Sequence, residues 1–192
     1  MIVFDLMGTL FEEGRMTERL QSILEDEEPN LGERELRKVY LEYSRGELPQ
    51  EHFWKRLTKD VKREFLNSLK LKKDAIDVLD YFEDRKLGIL SNLPKPWLDP
   101  LLKKRSLGEY FSTVVISGRC GYRKPEKKIY ELFLEKAGVR SEECCFVDDK
   151  LKNLKTASEF GMETVWISTK NDASSYKPDH RIKNLDELKE LL

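Results

Sequence analysis

Short β-type runs at Ile2 to Asp5, Leu87 to Ser91, Thr113 to Ser117, Cys144 to Asp148 and Thr164 to Ile167 constrain this chain more than any other feature. Amphipathic stretches separate the later ones. Asp74 to Arg85 sets Ala75, Ile76, Val78, Leu79 and Phe82 at helical spacing, and Lys127 to Ala137 does the same with Ile129, Tyr130, Phe133 and Leu134. Gly138 and Gly161 follow as helix stops, the second after Leu151 to Phe160, and Asp186 to Leu192 reads as a closing helix. Strands alternating with helices at this pitch predict an α/β fold, a Rossmann-like parallel sheet with helices on both faces.

The interval 15–73 breaks that rhythm. It holds no strand pattern. Its helical patterns fall at Thr17 to Asp26, Glu33 to Tyr43, Gln50 to Leu57 and Lys59 to Leu69, with turn signals at Pro29-Asn30, Arg45-Gly46 and Pro49. The expected organisation is a core of 1–14 plus 74–192, carrying an inserted helical cap at 15–73. Gly14 and Lys70 to Asp74 are the candidate hinges.

Composition narrows the function. The 192 residues carry a net charge of −1 with 37% charged residues, and no basic run has interleaved aromatics, so a nucleic-acid partner is not expected. Lys70 to Lys73 and Lys103 to Arg105 read as solvated helix faces. No segment approaches the roughly 18 apolar residues of a membrane span. The start of the chain enters a strand with no secretory pattern, and the expected compartment is the cytoplasm. Cys144 and Cys145 fall in a buried strand and Cys120 in a loop, without disulfide or zinc spacing.

In an open α/β sheet, ligands bind beyond the carboxyl ends of the strands. Asp5, Ser91-Asn92, the loop to Lys124, and Asp148-Asp149 all fall at or just after such ends. Singly, each has a structural reading as a turn residue, a helix cap or a surface lysine. Together, acids at strand tips suit a hard cation that wants oxygen ligands, with hydroxyl and ammonium groups suited to a phosphate.

Phe4-Asp5-x-x-Gly8-Thr9-Leu10, Leu90-Ser91-Asn92, Gly121-Tyr122-Arg123-Lys124-Pro125-Glu126 and Phe146-Val147-Asp148-Asp149-x-x-x-Asn153 resemble, in order, the four motifs of the haloacid dehalogenase-like (HAD) hydrolases. The similarity is strongest to the helical-cap branch of the epoxide hydrolase N-terminal phosphatase and bacterial sugar-phosphate phosphatases. The resemblance implies Asp5 as nucleophile, attacking a small phosphomonoester. It implies Mg²⁺ held by Asp5, the Met7 carbonyl and Asp149, and phosphate contacts from Ser91, Lys124 and backbone amides near Leu6, Met7 and Asn92. It casts Asp148 as a supporting or water-mediated ligand, Asn153 as orienting Lys124 or Asp149, and Thr9 as fixing the turn after Asp5. Most family phosphatases carry an acid/base Asp where this chain has Met7, and a thioether cannot move a proton. Three alternatives follow: a phosphatase that works without that acid, a 2-haloacid dehalogenase whose halide leaves unprotonated, or a catalytically weak phosphate-metabolite binder. Dehalogenases of the family need no metal, and the retained Asp148-Asp149 pair weighs against that alternative. Of the insert's aromatics, Tyr40, Tyr43, Phe53 and Trp54 are expected mostly to pack its own helices, while Trp97 and Lys95 lie nearer the expected site.

Overall fold

The computed structural model describes residues 1–12, 16–24, 32–57, 61–169 and 174–192. Gly14 and the Pro29-Asn30 turn lie outside these residues. Six parallel strands, β1 (Ile2–Phe4), β2 (Leu87–Ser91), β3 (Phe111–Ile116), β4 (Cys145–Asp148), β5 (Glu163–Ile167) and β6 (His180–Ile182), form one sheet in the order β3-β2-β1-β4-β5-β6. Phe4 sits opposite Ile89 of β2 on one side and Val147 of β4 on the other. From β1 the chain order runs outward one way through β2 and β3, and the other way from β4 to β6. The switch point therefore falls between β1 and β4, where an open sheet of this kind leaves a crevice at its carboxyl edge.

The helices follow in chain order: α1 (Met16–Leu24), α2 (Glu33–Arg45), α3 (Gln50–Lys55), α4 (Lys62–Ser68), α5 (Ala75–Tyr81), α6 (Lys95–Leu102), α7 (Ser117–Cys120), α8 (Lys127–Ala137), α9 (Leu151–Glu159) and α10 (Leu188–Leu191). Strand side chains alternate between two cores, as the period of two requires. Ile2, Phe4, Ile89, Val147 and Val165 face one cluster with Ala75, Val78, Leu98 and Leu188. Val3, Leu90, Val115, Phe146 and Trp166 face the other, with Ile129, Phe133, Leu154 and Ala157. Burial on both faces explains why the strands are apolar throughout rather than alternating.

Among the described residues of the insert, the regular structure is helical, as expected. The apolar residues of α1 to α4 form no core apart: Leu20, Leu36, Tyr43, Phe53 and Phe65 belong to the same cluster as Phe4 and Ile89. Trp97 of α6 makes the join. Its ring lies 4.8 Å from Phe65, 5.6 Å from Tyr43 and 6.1 Å from Trp54, centroid to centroid, and it is fully buried. Tyr43 in turn stacks on Phe53 at 4.1 Å.

A second join lies at the end of α2. Arg45 pairs with Glu126, Ser117 Oγ donates to the Ser44 carbonyl, and Gly46 closes the helix at φ 79. The backbones are too close here for side chains. A Cβ on Gly46 would come within 2.9 Å of the Gly118 oxygen, and one on Gly118 within 2.4 Å of the Lys95 nitrogen.

The structure departs from the sequence reading in five places. β6 is an edge strand in which only Ile182 is buried, so it leaves no apolar run to detect. α6, which the sequence reading did not include, carries Pro96 and Pro100, and Pro96 occupies the first helical turn, where a missing N–H is tolerated. Cys120 ends the short α7 rather than sitting in a loop. Lys70 to Lys73 is not a helix face: Leu71 bridges antiparallel to Phe11, and the Lys72 and Glu12 amides bond to Leu10 and Lys70 carbonyls. Lys104 is also not simply solvated. Its ammonium donates to the Leu66 and Leu69 carbonyls at the end of α4.

Candidate active site

The carboxyl ends of β1, β2 and β4 bring the motif residues together. After Phe4 the chain leaves the sheet, and the Asp5 amide still donates to Val147 at 3.0 Å, which fixes the aspartate at the switch point. The turn beyond it closes on itself. Leu10 and Phe11 amides bond the Leu6 carbonyl, and Gly8, at φ 87, donates to the Phe11 carbonyl. That φ lies in the left-handed region which glycine enters without penalty. The bonds of the turn use the carbonyls of Leu6 and Phe11, not that of Met7. Thr9 is buried, and its hydroxyl has no partner, so the turn is fixed by backbone bonds and not by Thr9.

Lys124 is the electrostatic centre. Its ammonium lies 2.9 Å from Asp5 Oδ1 and 2.7 Å from Asp148 Oδ2, and donates to the Leu90 carbonyl at 2.7 Å. Those three bonds account for the three donors of an ammonium. Burial works against its charge, yet Asp148 and Asp5 hold its pKa above the usual lysine value. Its backbone is anchored separately by a reciprocal pair: the Lys124 amide donates to Asn92 Oδ1 at 2.8 Å, and Asn92 Nδ2 donates to the Lys124 carbonyl at 2.9 Å. The Asn92 side chain thus positions Lys124 and is not left for a phosphate.

Asn153 does not orient Lys124 or Asp149 directly. Its amide donates to both oxygens of Asp148, at 3.1 and 2.9 Å. Asp148 also accepts the Lys150 amide at 2.7 Å. Burial pushes the Asp148 carboxyl up to about 7, against the pull of Lys124. Burial also raises Asp149, and the charge of Asp5 adds to the effect, while Lys150 at 2.6 Å opposes it.

One carboxylate oxygen from each of Asp5, Asp148 and Asp149 falls within a 4.8 Å span. Asp149 Oδ1 is buried and has no hydrogen-bond partner. Crowded carboxylates with an orphaned oxygen are the donor set of a hard cation, so the residues present fit Mg²⁺. Ser91 Oγ is likewise buried and orphaned. Buried polar atoms are nearly always bonded, so both oxygens are disposed toward a ligand.

Asp5, Met7, Ser91, Asn92, Lys124, Asp149 and Asn153 line a cavity of about 430 Å³, and Met16, Thr17, Arg37 and Tyr40 line it from α1 and α2. Tyr43, Phe53 and Trp54 pack against Trp97 and do not line it. Neither do Trp97 or the exposed Lys95. Arg123 does, though as a motif residue it drew no role of its own. Arg37 and Tyr40, three residues apart on α2, share a helix face. That spacing was readable, but which way the face pointed was not.

A family model for the haloacid dehalogenase-like hydrolases matches residues 1–161. The chain belongs to that family. It is 29% identical over 109 residues to (S)-2-haloacid dehalogenase 4A of Burkholderia cepacia, covering 55% of this chain and 47% of that one. It is 26% identical over 129 residues to the phosphorylated carbohydrates phosphatase of Thermotoga maritima, covering 65% and 60%. The chain thus spans about half the length of these curated relatives. A HAD phosphatase structure from Thermococcus onnurineus superposes with a TM-score of 0.74 at 26% identity, covering 99% of this chain and 96% of that one. The relatives found in that family include both phosphatases and dehalogenases. No helix among the described residues is long and apolar enough to cross a membrane.

Proposed function

We propose that this chain is a metal-dependent phosphatase of small phosphomonoesters, and that it works through a phosphorylated Asp5. The observation that carries the reading is the arrangement around Asp5. A carboxylate held 2.9 Å from a buried lysine lines a cavity together with Ser91 and Asp149, each of which holds a buried oxygen without a hydrogen-bond partner among the described residues.

Asp5, Asp149 and the Met7 carbonyl would hold Mg²⁺, which when bound supplies positive charge that screens an anionic ester from an anionic nucleophile. Asp5 attacks phosphorus, and the bond to the alcohol oxygen breaks as the aspartyl-phosphate forms. Lys124 keeps its bonds to Asp148 and Leu90, and its bond to Asp5 is the one a phosphoryl oxygen can replace. Ser91 donates its hydroxyl to a second oxygen, and both contacts strengthen as charge shifts in the transition state. Asp148, clamped by Asn153 and Lys124, holds the ammonium in place. Water then hydrolyses the acyl phosphate, which frees phosphate and restores Asp5. Met7 provides no proton for the leaving alcohol, so water supplies it, and esters with acidic alcohols react fastest. Residues 15–73 act as the cap, with Met16, Thr17, Arg37 and Tyr40 enclosing the substrate and limiting water.

Met7, together with the likeness to a haloacid dehalogenase, supports a second reading in which halide leaves without a proton. The crowded Asp5, Asp148 and Asp149 argue against it, since three adjacent carboxylates against the two ammonium groups of Lys124 and Lys150 leave a surplus negative charge that a further cation would offset. Hydrolysis of p-nitrophenyl phosphate, with Mg²⁺ and with chelator, beside Asp5→Asn, decides between them. Metal-dependent turnover that the substitution abolishes supports the phosphatase. No turnover on this easily expelled leaving group, with chloride released from 2-chloropropionate, supports the dehalogenase.

A further inference from the structure

The cavity contains a cation that the phosphoryl chemistry does not use. Arg123, half-buried and next to Lys124, lines the cavity and lies 5.9 Å from the centre of the Tyr40 ring. Its guanidinium donates one hydrogen bond, to Ser44 Oγ. A guanidinium has five donors. Three neighbouring cations are matched: Lys124 by Asp5 and Asp148, Lys150 by Asp149, Arg45 by Glu126. Arg123 makes no direct ion pair among the described residues, and the nearby Glu126 and Asp5 act on it only through space. Charged groups removed from water are normally paired, so this one is set for an anion that arrives with a ligand.

Arg37 adds a second fork. It is exposed, lines the same cavity, and sits on the α2 face that carries Tyr40 and Ser44. Glu33 also lines the cavity, but it starts the helix, about 16 Å along the axis from Ser44 at about 1.5 Å per residue. Arg37 follows Glu33 by one helical turn, whereas Arg123 meets α2 at Ser44, well away from that acid. Forked guanidinium donors match carboxylate and phosphate oxygens.

We propose that Arg123, with Arg37, binds a second anionic group on the alcohol part of the substrate. The chain then selects small phosphomonoesters that carry a carboxylate or a second phosphate. This rests on the phosphatase reading, and it names the substrate class of the same site.

The test compares kcat/KM for three substrates: glycerol 3-phosphate, 3-phosphoglycerate, and propane-1,3-diol bisphosphate. The first has a neutral alcohol part, the second a carboxylate, the third a second phosphate. p-Nitrophenyl phosphate serves as a separate control for turnover. The wild type is expected to favour at least one of the two anionic esters by about ten- to a hundredfold, mainly through KM, as charge-assisted hydrogen bonds allow. Which of the two gains shows whether the fork takes carboxylate or phosphate. Arg123→Gln is expected to bring the ratio to about one, and Arg123→Lys to keep part of it. Arg37→Gln, at an exposed position that tolerates change, is expected to lower it severalfold. A wild-type ratio near one, with p-nitrophenyl phosphate still hydrolysed, overturns the anion site alone. A ratio untouched by both glutamine substitutions also overturns it, because a guanidinium that only docks α2 affects all substrates alike. In inactive Asp5→Asn protein, 3-phosphoglycerate or the bisphosphate is expected to raise the melting temperature more than glycerol 3-phosphate does. Equal shifts for all three overturn the proposal even if no ester is turned over.

Discussion

Met7 is the residue at which the proton supply of the proposed reaction can be tested. Its side chain is buried beside the nucleophile and lines the cavity. Restoring a carboxyl there supplies the proton that the leaving alcohol lacks, work worth roughly 10²–10⁴-fold. Met7→Asp is therefore expected to raise kcat on an alkyl phosphate within that range. It should change p-nitrophenyl phosphate hydrolysis far less, because that leaving group needs no proton. Equal gains on both esters would show that the substitution acts on something other than proton transfer. Asp149 allows a test of the cation that needs no turnover. Its orphaned oxygen and its crowding with Asp5 and Asp148 predict that Mg²⁺ raises the melting temperature by binding only the folded chain. At about a hundred times Kd that linkage amounts to ~2.7 kcal/mol. Asp149→Asn is expected to remove most of the shift, as read by thermal unfolding with and without chelator.

At the scale of elements, α6 decides how the helical segment sits. Trp97 projects from the core side into the aromatic group formed by Tyr43 of α2, Phe53 and Trp54 of α3 and Phe65 of α4. Its position soon after Ser91-Asn92 left contact with the substrate or only with the helical insert open, and its side chain packs the insert. Trp97→Ala leaves a cavity where four helices meet and is expected to destabilise the fold by about 3–5 kcal/mol, read from the denaturation midpoint. Trp97→Phe should lose much less. If the alanine variant instead melts α1 to α4 while the sheet stays folded, near- and far-ultraviolet signals will separate, and the segment behaves as its own unit.

For the whole molecule, acid is the condition that should loosen the α2 junction. The hydrogen bond from Arg45 holds Glu126 below its ordinary value of 4.5. A carboxyl with a depressed folded pKa contributes stability that is complete above the unfolded value. That contribution is lost as pH falls through the lower folded value. The tie between α2 and the loop before α8 therefore persists at neutral pH and weakens below about pH 4.5. Glu126→Gln is expected to flatten that part of the melting curve against pH and leave its slope near pH 7 unchanged. An identical acid limb in the variant would show that the junction holds through Trp97 and the Gly46–Gly118 approach alone.

The sequence by itself determined the α/β class, the order of strands and helices around the motifs, and the residues gathered at Asp5. Those follow from local rules: apolar periodicity, helix stops at glycine, and acids at strand ends. Lys127–Ala137 and Leu87–Ser91 keep the bounds their patterns imply, because each is a local signal unopposed by its surroundings. Elements without such a signal were hidden. β6 exists because β5 offers an edge, and α6 forms despite its prolines because its apolar face has a core to meet. Only the tertiary structure decided the partners. It gave Asn153 to Asp148, spent the Asn92 side chain on the Lys124 backbone, put Trp97 in the packing, and left Arg123 in the cavity with no direct ion pair among the described residues. Spacing along a chain fixes which residues share a face. Which faces meet depends on how separate elements pack, and that packing sets where each hydrogen bond goes.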